Sequence, residues 1–189
     1  MACVVALGTA CKSPSAPTTK APAPATSTLT FQVQAASLNP ADSGAYTTAN
    51  ATFGATARTT CVPDPIIAGS FCPDLVAIVR GSDNRMCQLI ASAPAGRPFA
   101  PGNTYTTVFP VTVGSTFFTF NCAHAGTTCG DKNAAFTVHE LSSTDGLVTR
   151  LHLTFEQTCL GGFPPAVGPF GKGTGELWII DGARRSHDF

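Results

Sequence analysis

No stretch longer than ten residues in this chain favours the 3.6-residue spacing of a helix, whereas apolar and polar side chains alternate at period two in many short segments. The clearest is Leu29, Phe31, Val33 and Ala35 set against Thr30, Gln32 and Gln34, which reads as a half-buried strand. Further strands are predicted over 51–58, 74–80, 85–92, 104–113, 115–122, 134–142, 147–158 and 175–181, with Gly, Pro, Asn and Asp between them. A single open sheet would leave one apolar face wet. Nine such strands without helices therefore predict an all-β fold, a two-layer antiparallel β-sandwich. A closed barrel is the other arrangement this strand count allows.

The 189 residues divide into two parts. Residues 1–27 are mostly Ala, Pro, Ser and Thr, which bury too little to offset ordering entropy, so they read as a leader and disordered tether. Residues 28–189 fit one domain. Eleven basic and eleven acidic residues balance, so there is no basic field for a phosphate backbone and nucleic-acid binding is not expected. A hydrophobic content of 43%, with 13 Phe, is enough for a core, yet no run reaches the length of a membrane span.

The opening MACVVALGTACK resembles the end of a bacterial lipoprotein signal, in which a Cys after small residues is lipidated. The resemblance implies lipidation at Cys11 and contact with a membrane only through that lipid. Gly8 stands where such signals prefer Leu, and a basic segment at the start is lacking.

Eight Cys in a charge-poor chain, none in a Cys-x-x-Cys pair, point to disulfides and an oxidising compartment. With Cys3 and Cys11 assigned to the leader, six remain, and six allow fifteen connectivities. Cys61 and Cys72 bracket a Pro- and Gly-containing loop whose closure removes unfolded-state entropy worth about 3 kcal/mol. Cys87 shares a face with Leu89, and Cys122 with Phe118 and Phe120, so the two could join across the core. Cys129 precedes the hairpin described next and Cys159 follows it. The expected set is 61–72, 87–122 and 129–159.

In AAFTVHELSSTDGLVTRLHLTF, Ser143 to Gly146 supply a four-residue loop, with Gly146 free to take positive φ. Pairing Ser142 with Leu147 sets Val138 opposite Leu151 and Phe136 opposite Leu153 on the core face. Thr137 then faces His152 on the other side, and His139 faces Arg150. His139, Arg150 and His152 become a candidate surface cluster for an anion or a metal. Parity opposes a metal: Glu140 falls on the face opposite His139, and Glu156 lies roughly 13 Å along the strand from His152. The expectation is a solvated polar face with no metal and no cofactor, and His124 reads as a loop residue.

Other chemistry fares no better. The segment Gly171-Lys172-Gly173-Thr174-Gly175 lacks phosphate-loop spacing, because Ala166 stands where the first Gly belongs, and a strand rather than a helix follows it. Ser70 lacks the strand-turn-helix context of an activated nucleophile. No pair of carboxylates suggests glycoside hydrolysis. Trp178, Tyr46 and Tyr105 could form a sugar-stacking platform, but Trp178 within Leu-Trp-Ile-Ile reads as core.

Three segments resemble an uncharacterised β-rich domain of bacterial secreted and surface proteins: SAPAGRPFAPGNTY from Ser92, AAFTVHEL after Cys129, and LVTRLHLTFEQTCLGG. That family carries Pro-x-Gly-x-x-Leu-x-Pro-Gly-x-Tyr, then a Cys before Gly-x-Phe-x-Val-x-Glu, then Phe-x-Gln-His-Cys-Glu-Gly. The likeness covers about 90 residues, from Ala91 to Ile180. It implies an exported β-rich domain and supports the 129–159 pairing, but it carries no activity to transfer. Thr158 and Leu160 replace the family's His and Glu beside the second Cys, and a Gly- and Pro-rich insertion over 161–175 precedes the closing strand. The reading is an exported, membrane-tethered, non-catalytic module for interaction with a protein or glycan, or for a structural role. A secreted hydrolase and a carbohydrate-binding module are the alternatives.

Overall fold

The computed structural model of the protein describes residues 22–34, 42–57, 75–94, 97–112, 114–123, 131–161 and 171–180. These form ten strands: β1 (Thr28–Val33), β2 (Asp42–Thr47), β3 (Ala51–Ala57), β4 (Leu75–Gly81), β5 (Met86–Ser92), β6 (Asn103–Thr107), β7 (Phe117–Ala123), β8 (Asp131–Thr144), β9 (Leu147–Gly161) and β10 (Lys172–Ile180). All pairings are antiparallel, and no helix occurs among the described residues. One layer runs β2-β1-β10-β9-β8-β6 and the other β3-β4-β5-β7.

The expected all-β class is observed, with a difference in detail. The two layers are one hydrogen-bonded sheet folded over on itself, joined where Thr56 of β3 meets Leu147 of β9. At that bend the Ala57 amide donates to the Gly146 carbonyl (2.9 Å). The tenth strand, β2, escapes sequence reading because Asp-Ser-Gly-Ala-Tyr-Thr offers only one large apolar side chain.

A row of residues in register explains how the layers close. Across the inner face of the first layer run Gly44, Phe31, Gly175, Phe155, Phe136 and Tyr105, one from each strand in order. Glycine beside phenylalanine leaves room for the rings to lean over the neighbouring backbone, and a Cβ on Gly175 would stand 2.3 Å from the Phe155 ring. From the opposite layer, Phe118 and Phe120 of β7 descend onto this row. Phe118 meets Phe136 (5.0 Å between centroids) and Phe155 (5.3 Å), while Phe120 meets Phe155 (4.6 Å) and Phe31 (5.3 Å). Leu29, Leu151, Leu153, Leu177 and Ile179 of the first layer share the core cluster with Leu75, Ala77 and Leu89 of the second.

Strand β7 ends the second layer, so among the described residues one of its edges has no neighbouring strand. Gln157, on the inner face of β9, closes it. Its side-chain carbonyl accepts from the Phe120 amide (2.9 Å), and its NH2 donates to the Phe120 carbonyl (3.1 Å), reproducing the two bonds of a strand neighbour. Lys132 adds a bond from Nζ to the Thr119 hydroxyl (2.6 Å).

The β8–β9 hairpin corrects the expected register. Asp145 and Gly146 both take positive φ (52° and 77°), which makes a two-residue turn instead of the four-residue loop. Thr144 therefore pairs with Leu147, Ser142 with Arg150, Val138 with Leu153, Phe136 with Phe155 and Thr137 with Thr154. The slip is an even number of residues at Phe136 and Val138, so the predicted core side chains still point inward. A bulge between Val138 and Glu140 then places both His139 and Glu140 on the outer side, against the parity expected for Glu140.

Cys87 and Cys122 form a disulfide, as expected, but between directly opposed residues of the adjacent strands β5 and β7 instead of across the core. Cys61, Cys72 and Cys129 lie outside the described residues, as does Cys11; Cys159 lies in β9 with its backbone opposite Lys132.

Two measurements check this account. Gly175→Ala should lower stability by about 1–3 kcal/mol in chemical denaturation, because the new methyl meets both the Phe155 ring and the Thr30 carbonyl oxygen (2.8 Å). Replacing Cys87 and Cys122 together by Ala should cost roughly 3–4 kcal/mol, the entropy of releasing a loop that spans 35 residues.

Candidate functional site

The outer face of β8, β9 and β10 gathers the polar side chains that the sequence singles out. Trp178 pairs with His152 across β10 and β9, and Glu140 pairs with His152 across β8 and β9. Glu176, two residues before Trp178, shares its face. The result is a column of three flat rings: His139 on His152 (4.3 Å between centroids, 26° between planes) and His152 on Trp178 (3.6 Å, 11°). One oxygen of the Glu176 carboxylate is hydrogen-bonded to both His152 Nε2 (2.8 Å) and Trp178 Nε1 (2.9 Å). The Trp178 indole is the donor in its bond. His139 Nε2 is bonded to the Thr154 hydroxyl (2.8 Å), and Arg150 pairs with Glu140 beside the column.

These positions revise three expectations. Trp178 is buried, at 7% exposure, yet it does not belong to the core, because it faces outward and is covered in part by His152. His152 is exposed by only 8%, unlike Arg150 and Glu176 on the same face, whose side chains are open to solvent, so the expectation of a solvated position fails at His152 alone. Arg150 is engaged with Glu140 and does not stand opposite His139. Glu156 does lie apart from the column, in an ion pair with Lys172 (2.8 Å).

The chemistry open to the column is narrow. His152 Nδ1 is sealed from solvent, so the Glu176–His152 couple has no exposed nitrogen with which to take a proton from a substrate. Thr154 and His139 form a hydroxyl–imidazole pair, the minimum of an activated nucleophile. No group of three or more His, Cys, Asp or Glu among the described residues is placed to hold a metal ion. Lys172 to Gly175 lie within β10, so the phosphate-loop segment is strand. Ser70, His124 and most of the 161–175 insertion lie outside the described residues.

The three aromatics of the sugar-platform reading do not share a face. Tyr46 is buried against Phe31, Tyr105 stacks on Phe136 inside the first layer, and Trp178 lies in the outer column. Tyr46 instead anchors a polar cluster that ties the two layers together at one end. Its hydroxyl donates to Asp83 (2.9 Å) in the β4–β5 turn, and Arg85 from the same turn reaches Asp42 at the start of β2 (2.9 Å). Burial and the Asp83 carboxylate raise the Tyr46 phenol above its ordinary value. Partial burial would raise Asp83 too, but hydrogen bonds from the Arg85 amide and the Tyr46 hydroxyl, with the Arg85 charge, hold it below the usual carboxylate range.

No protein-family model matches the sequence, and no curated protein or solved structure is significantly similar to it. The disulfide belongs to an oxidising, extracytoplasmic environment, and no helix of the described residues is long and apolar enough to cross a membrane.

The Tyr46–Asp83 contact has a signed pH dependence. Asp83 is favoured ionised in the fold, so its contribution is complete above the unfolded carboxyl value of about 4 and disappears as pH falls through the lower folded value. Tyr46 is favoured neutral, so its contribution is complete below about pH 10 and is lost as pH rises through the higher folded value. Tyr46→Phe should cost about 1 kcal/mol at neutral pH and flatten both limbs of a denaturation series taken across pH.

Proposed function

We propose that this protein is an exported, membrane-tethered interaction or structural module without catalytic activity, whose partner is a protein or a glycan. The observation that carries this reading is the outer face of the second layer. Val76 and Ile90 stand opposite each other on β4 and β5, Ile78 follows on β4 opposite Gln88, and Met86, opposite Arg80, is exposed by 42% at the end of this face. None of these four side chains joins the core cluster. Apolar side chains in a row on the outside of a sandwich favour contact with another molecular surface. The loop after β6 adds Val108 and Phe109, also exposed.

The lipoprotein-like opening around Cys11 and the likeness of Ala91 to Ile180 to secreted bacterial domains support export and tethering. A hydrolase is the second reading, and the Thr154–His139 pair is the observation in its favour.

The full chain, expressed with its N-terminal region in an exporting bacterial host, tests the proposal. Mass spectrometry should find a diacylglyceryl group on Cys11 and oxidised cysteines. Cross-linking in intact cells should give an adduct of defined mass that Ile78→Gln with Ile90→Gln removes. Recovery of a reduced cytosolic monomer would overturn the reading. So would turnover of a chromogenic ester, glycoside or peptide that His139→Ala abolishes.

A further inference from the structure

Strand β6 ends at Thr107, and the chain then runs Val108-Phe109-Pro110-Val111. Val108 is exposed by 67% and Phe109 by 44%, Pro110 is exposed and Val111 half-buried. We propose that this tip is a lipid-contacting loop, which inserts Val108 and Phe109 into the surface of an uncharged bilayer.

Two successive large apolar side chains so open to solvent belong to a projecting segment, not to a groove. Strand β6 lies at the margin of the first layer and pairs only with β8 among the described residues, so no described strand flanks the tip on its far side. From Pro98 through Gly130 the sequence contains no Asp, Glu, Lys or Arg. On the neighbouring strand, Lys132 is buried and engaged with Thr119. A protein partner is selected by charge and hydrogen-bond complementarity, and Val108 and Phe109 offer neither. The acyl region of a bilayer asks for neither.

The backbone of the tip is also prepared to leave water, where each unpaired amide or carbonyl would be costly. The Phe109 amide donates to Asn133 Oδ1 (3.0 Å), and Pro110 has no N–H to satisfy. The Thr112 carbonyl accepts from both the Ser115 amide (3.1 Å) and the Ser115 hydroxyl (2.7 Å). Because Asn133 belongs to β8, its bond fixes the base of the tip to the sheet, so less freedom is lost on insertion.

This contact is separate from any lipid on Cys11. In register, Thr107 pairs with Ala134, Ala134 with Gln157, Gln157 with Gly173 and Gly173 with Val33, so the tip lies at the end of the first layer where β1 finishes. The chain enters β1 at Thr28, at the other end.

The full-length protein carrying Cys11→Ala, which leaves no thiol there for a lipid, tests the loop alone. Mixed with phosphatidylcholine vesicles and floated on a density gradient, it should rise with the vesicles, to the same extent at about 0.1 M and about 1 M salt, because no charge takes part. Val108→Ser with Phe109→Ser should lower the partition coefficient by about tenfold or more and leave the thermal midpoint unchanged, since both side chains are exposed. Phe109→Trp gives a second reading. Its emission, taken as the difference from the parent that has only Trp178, should shift to the blue with vesicles and be quenched by brominated acyl chains. Absence of flotation at excess lipid, equal flotation of the serine variant, or attachment only to anionic vesicles that high salt reverses would overturn the proposal. So would a protein cross-link in cells that the serine variant removes when the parent does not float, which assigns the tip to a protein partner.

Discussion

Everything in this fold depends on phenylalanine rings finding room above glycine. Phe31, Phe155 and Phe136 lie in one register row with Gly44 and Gly175, and the two rings of β7 close over that row. A sheet lined only by branched side chains would keep the layers further apart. Here the missing Cβ atoms let large rings tilt and make edge and offset contacts with rings from the facing layer. Apart from β8 and β9 the strands are five to nine residues long, and each contributes only a few core side chains, so dense burial matters.

The folded-over sheet creates edges as well as a core, and polar side chains deal with them. Gln157 supplies the two hydrogen bonds that an eleventh strand would have made to Phe120. Tyr46, Asp83, Arg85 and Asp42 fasten the far end, where β2 of one layer passes near a turn of the other. At the first place the polar side chain bonds backbone groups of a strand edge, and at the second a hydroxyl and charges from the two layers bond one another.

The same logic separates the molecule's two outer faces. The outer side of the first layer carries a network of rings and a carboxylate bonded to one another. The outer side of the second layer carries the aliphatic side chains Val76, Ile78 and Ile90 outside the core. A disulfide joining β5 to β7 ties that second layer to its own edge in an oxidising environment.

Period-two alternation by itself determined the all-β class, and it identified Leu29, Phe31, Phe136, Val138, Leu151 and Leu153 as inward-pointing, because strand parity is a local property of the backbone until a bulge interrupts it. It also placed Cys87 and Cys122 on core-facing positions. Register was decided elsewhere. The Asp145-Gly146 turn and the His139 bulge depend on how neighbouring strands settle, and each moves partners without altering local composition. Sequence reading placed Trp178 in a strand but assigned it to the core, and it did not single out Glu176. That this face would meet His152 and His139 followed only from β10 docking against β9, since sequence separation carries no information about which strands become neighbours.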